Sequence, residues 1–124
     1  MALHNQLGNE GEKIAVNYLK NKGYIIYHTN WRMSHLEVDI IAEDNGELVF
    51  IEVKTRSSNE YGEPEDAVDY QKEKDLLRLA TVYLENLQLE VPSRFDIVSV
   101  IISSKKSNIT HFEDAFSGMI IGMS

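Results

Sequence analysis

The dipeptide Asn45-Gly46 is the feature that most constrains how this chain can fold. It separates two runs rich in Val, Ile and Phe, which we predict to be strands at 37–43 and 47–54. Asn-Gly between two such runs is the strongest short-range signal for a β-hairpin, because both turn residues must adopt positive φ. A two-residue turn also fixes the register, so that Asp39 is expected to face Glu52 across the strand pair.

This register predicts which side chains of the hairpin share a face. Side chains alternate between the two faces of a strand. One face is expected to carry most of the charge, with two apolar neighbours near the turn: Glu37, Asp39, Ile41, Phe50, Glu52 and Lys54. The other face is expected to be apolar throughout: Val38, Ile40, Ala42, Val49, Ile51 and Val53.

Two facing carboxylates, Asp39 and Glu52, require a compensating interaction. Directly opposed residues have Cβ atoms about 4.5–5.5 Å apart, where like charges are destabilising. Burial of unpaired carboxylates costs further free energy, which a raised pKa, a basic partner or a bound cation can offset. A hard cation such as Mg²⁺ prefers oxygen ligands. The alternative is a solvated end of the sheet, where Lys54 pairs with Glu37 or Glu52.

The remaining elements surround this hairpin and predict an α/β fold. Apolar residues at three- and four-residue steps indicate a helix over 5–22, which ends before Gly23. The other predicted elements are a strand at 24–28, a polar loop at 57–63, a helical region from Pro64 to about 89 with a break near Tyr70, a strand at 95–102, a turn at 105–108 and a strand at 109–112. The order α-β-β-β-α-β-β predicts a central sheet flanked by helices.

Length and composition exclude several classes of protein. A chain of 124 residues is expected to form one domain, spanning 1–124. The absence of cysteine excludes a disulfide scaffold and a thiolate metal site. No apolar run approaches the roughly 20 residues that a membrane span needs, and the polar N-terminal segment does not fit a signal peptide, so we expect a cytoplasmic protein. The net charge of −8 disfavours a generic nucleic-acid coating protein.

Three further charged residues stand out, and the first two have two readings each. Glu12 borders the apolar stripe of the first helix, where it can either point at the sheet or lie on the surface near the helix N-terminus. Lys72, near the start of a charged helix, is either a site residue or a solvated one. Asp96 shares a strand face with apolar residues and is expected to be half-buried in an ion pair. Three arginines are candidates for its partner: Arg32, Arg56 and Arg94.

Taken together, short segments of the chain resemble the YraN family of predicted bacterial nucleases. The segments follow the order seen in that family: GNEGEKIA at 8–15, GY at 23–24, NWR at 30–32, EVDIIA at 37–42, FIEVKTR at 50–56, YGEP at 61–64 and RFD at 94–96. The family in turn resembles the PD-(D/E)XK, or restriction-endonuclease-like, superfamily and its archaeal Holliday junction resolvases. One departure is Leu36, where the family usually has Gly before the first strand glutamate.

The resemblance implies a restriction-endonuclease-like fold and a nuclease that depends on Mg²⁺ or Mn²⁺. Asp39 and Glu52 would bind the metal, together with the backbone carbonyl of Val53 and with Glu12. Lys54 would position or deprotonate the attacking water. The expected reaction is hydrolysis of phosphodiester bonds in nucleic acid, with branched or structured DNA as the favoured substrate.

Basic residues near these positions are candidates for contacts with the nucleic-acid backbone. The candidates are Lys13, Arg32, Arg56 and Lys72. Two alternatives stay open at this point: a nucleic-acid-binding protein of the same fold without catalysis, and an interaction domain that uses the small, apolar tail at 115–124 as its contact surface. The resemblance also admits a homodimer.

Overall fold

The computed structural model describes residues 2–57 and 70–115. Within these residues the elements are α1 (Ala2–Asn21), β1 (Ile25–Met33), β2 (Leu36–Asp44), β3 (Glu47–Ser57), α2 (Tyr70–Leu87), β4 (Ser93–Ile102) and β5 (Ser107–Phe112). The predicted order α-β-β-β-α-β-β is confirmed. The predicted start of the second helix at Pro64, nearly all of the polar loop and all but the first residue of the tail lie outside the described residues.

The five strands form one mixed sheet in the order β1-β2-β3-β4-β5. Strands β3 and β4 are parallel, and α2 connects them, as a parallel pair requires. The other neighbouring strands are antiparallel. The sheet therefore combines three antiparallel hairpin connections with one helical crossover.

The two helices cover opposite faces of the sheet. On the α1 side, Ala15 and Leu19 pack in one core cluster with sheet residues that include Val49 and Ile51. On the α2 side, Leu76 and Leu79 pack in a second cluster that includes Phe50. Alternation along β3 thus places its successive side chains against different helices, which is why this strand is apolar on both faces.

The register of the β2–β3 hairpin follows the prediction as far as the strands stay paired. Asn45 and Gly46 have φ values of 54° and 87°, and Asp44 pairs with Glu47. The paired ladder ends at Ile40 and Ile51, one step before Asp39 and Glu52 would pair. The two carboxylates therefore lie where β2 and β3 separate.

The predicted face of Val38 is wrong. Val38 packs with Ile41 on the α2 side, whereas Ile40 packs on the α1 side. A regular strand would place Val38 and Ile40 on one face, so β2 reverses its faces at Asp39. Because of this reversal, Val38 does not lie on the predicted apolar face. Asp39 lies at the position where the regular alternation of side chains along β2 is interrupted.

Strand β1 reverses its faces at the same level. Its residues His28 and Trp31 both contact the ring of Tyr83 in α2, although they are three positions apart. Asn30 lies between them with a φ of 52°, in the left-handed region. The predicted strand at 24–28 was too short for this reason, because β1 continues past an irregularity that breaks the two-residue period.

No helix in the described part of the chain is long and apolar enough to cross a bilayer.

Candidate metal and nucleic-acid site

Asp39 occupies the gap that opens between β2 and β3. Its Oδ2 accepts a hydrogen bond of 2.7 Å from the backbone amide of Val53, which lies beyond the last paired residue of β3. The carboxylate thus provides an acceptor for an amide in the separated part of the strand. Burial raises the pKa of Asp39, and the Val53 amide and the charge of Lys72 partly oppose this rise.

Glu52 is the buried carboxylate of the site, with 4% of its surface exposed. Its Oε2 lies 2.8 Å from the ammonium nitrogen of Lys72. Its Oε1 is buried and has no hydrogen-bond partner in the described part of the chain. A buried acceptor without a partner costs about 1–3 kcal/mol, and more when it is charged, so a bound ligand at this oxygen would stabilise the protein.

The two carboxylates act on each other electrostatically. Burial is the largest cause of the raised pKa of Glu52, and the charge of Asp39 is the second. The charges of Lys54 and Lys72 lower the pKa of both carboxylates. Burial lowers the pKa of Lys72, but its hydrogen bond to Glu52 and the surrounding carboxylates outweigh burial and raise it. Lys72 is therefore an ammonium ion at neutral pH.

Glu12 reaches the same site from α1. Its Oε1 accepts a hydrogen bond of 2.7 Å from the side-chain amide of Asn30, at the point where β1 reverses its faces. Burial raises the pKa of Glu12, as does the charge of Asp39, while the Asn30 bond lowers it. Of the two readings from the sequence, the structure supports the one in which Glu12 points towards the sheet.

Asp39 and Glu12 line one cavity of about 380 Å³. Its lining residues come from α1, β1, β2 and β3: Gly8, Asn9, Glu12, Asn30, Asp39, Val53, Lys54 and Thr55. Three of the predicted catalytic residues, Glu12, Asp39 and Lys54, thus share one cavity, and Glu52 lies close enough to interact with Asp39 electrostatically.

The donor set at this position fits a hard divalent cation. Glu52 offers a buried oxygen without a partner, and Asp39 keeps one carboxylate oxygen outside its bond to Val53. No group of three or more His, Cys, Asp or Glu side chains suited to hold a metal occurs among residues 2–57 and 70–115. Mg²⁺ keeps several water ligands and is commonly held by one or two carboxylates, so Asp39 and Glu52 are the two residues here that could hold it.

The ion pairs expected for a solvated sheet end are replaced by others. Glu37 pairs with Arg32 at 3.6 Å, and Glu52 pairs with Lys72; neither forms its ion pair with Lys54. Both arginine and glutamate of the first pair are largely exposed, so this pair contributes little stability.

The predicted nucleic-acid contacts are spread around the site. Lys13 lines a neighbouring cavity of about 430 Å³ that shares Glu12 with the first. Arg56 lies half-buried on β3, two residues beyond Lys54. The ammonium group of Lys72 forms an ion pair with Glu52 and so interacts with a carboxylate of the site.

Asn30 is a site residue that our sequence reasoning did not single out. Its signal was the residue type, because Asn tolerates positive φ more readily than other residues with a side chain. The residue type alone does not identify Asn30 as a site residue, because its position within β1 must be known first.

Asp96 belongs to a second polar cluster at the turn end of the β2–β3 hairpin. Arg94 is the partner of Asp96, at 3.0 Å, and also contacts Asp44 and Glu47 next to the turn. Asp96 is fully buried, where half-burial was predicted, and His111 bonds to its other oxygen at 2.7 Å. Burial raises the pKa of Asp96, but the hydrogen bonds from His111 and Arg94 outweigh it, so the pKa is lowered.

Comparison with known proteins finds a family without an assigned activity. The model of the uncharacterised protein family UPF0102 matches residues 11–100. A UPF0102 protein of Bacteroides thetaiotaomicron is 48% identical over 116 residues, covering 94% of this chain and 96% of the relative. One from Thermodesulfovibrio yellowstonii is 47% identical over 111 residues, covering 90% and 96%. One from Bacteroides fragilis is 46% identical over 116 residues, covering 94% and 96%.

Proposed function

The chain belongs to the uncharacterised protein family UPF0102, and we propose that it is a metal-dependent nuclease that hydrolyses phosphodiester bonds in nucleic acid. UPF0102 is the YraN family, so the family indicated by the sequence is confirmed. The observation that carries the proposal is the buried Oε1 of Glu52, which has no partner among the described residues and lies near the carboxylate of Asp39.

The two acidic residues have the environment of metal ligands. Each has one oxygen held by a protein donor, the amide of Val53 for Asp39 and the ammonium of Lys72 for Glu52. Each keeps its other oxygen for a cation, and Val53, whose carbonyl is the third proposed ligand, follows Glu52 directly in the sequence. Mg²⁺ or Mn²⁺ bound here would polarise a phosphoryl oxygen and lower the pKa of a bound water.

The protein itself supplies the remaining groups. Lys54 lines the cavity beside Asp39, where an ammonium group can orient a water and offset charge on the phosphate. Glu12, held by Asn30, provides a second carboxylate in the cavity that Asp39 lines. This arrangement of acids and a lysine on neighbouring strands is similar to that of restriction-endonuclease-like enzymes, which supports phosphodiester hydrolysis as the reaction.

A net charge of −8 is compatible with a polyanionic substrate when the acids hold a cation. A bound divalent ion would offset the repulsion between Asp39, Glu52 and the phosphate. Lys13 and Arg56 are proposed to contact the nucleic-acid backbone next to the cavity. The first is exposed on α1 and the second is half-buried on β3, so they border the site from two elements.

Calorimetric titration with Mn²⁺ tests the metal site directly. The parent protein is expected to bind Mn²⁺, and Asp39→Asn is expected to weaken that binding at least tenfold while keeping an acceptor for the Val53 amide. Glu85→Gln is the matched control, because it removes one exposed carboxylate on α2. Equal binding by the parent and Asp39→Asn would place any bound ion elsewhere and contradict the proposal.

Cleavage assays on duplex, single-stranded and branched DNA, and on RNA, then test the reaction. Activity is expected with Mg²⁺ or Mn²⁺, and loss of at least about a hundredfold in Asp39→Ala and Lys54→Ala. Binding of nucleic acid without cleavage by the metal-loaded parent would instead identify a binding protein of this fold.

A further inference from the structure

We propose that Lys72 is a positioning residue for the metal site: it holds Oε2 of Glu52 so that Oε1 faces the bound cation. This inference rests on the proposed function. Lys72 was expected to contact nucleic acid, and the structure suggests a different task for it.

The geometry around Glu52 carries the inference. The ammonium of Lys72 lies 2.8 Å from Oε2, while Oε1 of the same carboxylate is buried and has no partner within the ranges 2–57 and 70–115. The bond to Lys72 limits rotation of the carboxylate about its last side-chain torsion, which is otherwise broad. Without that bond, both oxygens of a side chain that is 6% exposed would lack a partner.

The two lysines near the carboxylates lie in different surroundings. Lys54 lines the cavity that contains Asp39. Lys72 lines a separate cavity of about 120 Å³, with Glu37 and Asp75 among its neighbours. Lys72 thus reaches Glu52 from outside the Asp39 cavity, which leaves Lys54 as the lysine placed to meet the substrate.

Helix α2 is fixed well enough to act as a rigid support for Lys72. Leu76 and Leu79, in the turns that follow Lys72, are fully buried against the sheet. The ammonium group is therefore carried by a helix that is packed against the sheet, and a group that positions a metal ligand needs such a rigid support.

The test compares Mn²⁺ binding by the parent, Lys72→Met, Lys72→Arg and Arg78→Met. Lys72→Met is expected to weaken Mn²⁺ binding by about tenfold or more, the usual effect of losing a group that orients a ligand. Lys72→Arg keeps a cationic donor and is expected to restore most of the affinity. Arg78→Met removes one exposed positive charge from the same helix and is expected to leave binding unchanged.

Three measurements make the outcome decisive. Thermal unfolding in a chelator shows that Lys72→Met is folded before its metal binding is compared. Nucleic-acid affinity in the chelator is expected to be equal in Lys72→Met and the parent; a loss would assign Lys72 to the substrate and overturn the inference. Mn²⁺ binding that is unchanged or stronger in Lys72→Met would also overturn it, since Lys72 would then be a bystander or a competitor of the cation.

The failure of this inference differs from failure of the proposed function. If parent Mn²⁺ binding depends on Asp39 but not on Lys72, only the positioning role is wrong. If the parent binds no Mn²⁺, or binds it independently of Asp39, both proposals are wrong.

Discussion

Gly11 allows α1 to approach β3 closely, and its replacement by alanine is expected to destabilise the protein. A Cβ added at Gly11 would lie 2.0 Å from Oγ1 of Thr55, 2.5 Å from its Cγ2 and 2.7 Å from its Cβ. All three distances are below the 3.0 Å that real Cβ contacts respect, so α1 or Thr55 must move by about 1 Å. Glu12 follows Gly11 directly, so this movement would also shift a residue of the site.

The expected magnitude follows from two opposing effects. Overpacking of a buried contact typically costs about 1–3 kcal/mol, and an overlap with three atoms belongs near the upper end. Replacement of a helical glycine by alanine recovers up to about 1 kcal/mol. Gly11→Ala should therefore lower the free energy of unfolding by about 1–2 kcal/mol. Gly8→Ala is the matched control, since nothing lies within 4 Å of its added Cβ, and it should raise that free energy by about 0.5–1 kcal/mol.

Urea unfolding of both variants measures the difference. Thr55→Gly removes the three atoms nearest to the new Cβ, so the double variant with Gly11→Ala should show a favourable coupling energy of about 1–2 kcal/mol in a double-mutant cycle. If Gly11→Ala were as stabilising as Gly8→Ala, and the coupling were zero, the close approach of α1 to β3 would not exist as described.

Three further predictions concern polar side chains. Arg94→Met leaves Asp96 buried without its cation and should cost about 3–5 kcal/mol in urea unfolding; a cost below 1 kcal/mol would contradict a buried pair. Because the bonds from His111 and Arg94 outweigh burial and lower the pKa of Asp96, its stabilising effect is present above the ordinary pKa of an aspartate and is lost as pH falls through the lowered value. Asp96→Asn should flatten that acid limb of the stability profile, and an unchanged limb would disprove the assignment. Asn30→Ala should cost about 1 kcal/mol more than Asn30→Gly in thermal unfolding, because Gly tolerates the positive φ at this position and Ala does not. Both variants should weaken Mn²⁺ binding, because both remove the hydrogen bond to Glu12. Equal stability of the two variants would contradict the positive φ at Asn30.

The parts of the fold that depend on local sequence were predictable. The turn at Asn45 and Gly46 needs only two residues with positive φ, and it determined the register from Asp44–Glu47 to Ile40–Ile51. Helix α1 was predicted to end before Gly23, and the structure ends it at Asn21, with a φ of 97° at Gly23. Both signals act over a few residues, where backbone sterics decide the outcome.

The reversal of faces in β1 and β2 was not predictable from the pattern. Thr29 pairs with Ile40 and Trp31 pairs with Val38, so the register is the same on both sides of the irregularity. The reversal requires that β1 and β2 exchange their two faces at the same level. In the sequence of either strand alone, it is visible only as an interrupted alternation of apolar and polar residues. A change that two strands make together is a property of the pair, which the period of a single strand does not contain.

The part of the candidate site that depends on local sequence was predictable, and the part that depends on packing between elements was not. Asp39, Glu52 and Lys54 lie within one hairpin, so turn geometry alone brings them near each other. Lys72 comes from the crossover helix α2, and its bond to Glu52 depends on how that helix packs on the sheet. Its charge suggested nucleic acid as a partner, because sequence gives the charge of a side chain and not the group that it meets.

The separation of β2 and β3 explains why carboxylates can occupy a sheet that is otherwise apolar. Had the ladder continued, Asp39 would face Glu52 directly, and the strands would use their own backbone groups for pairing. The observed opening instead gives Asp39 the amide of Val53 as a donor and creates the cavity of about 380 Å³ beside it. Among residues 2–57 and 70–115, Glu52 obtains one protein donor at the same level, and its other buried oxygen has no partner there. A cation at this opening would satisfy that oxygen and reduce the repulsion between the two acids at once, which is why we place the metal there.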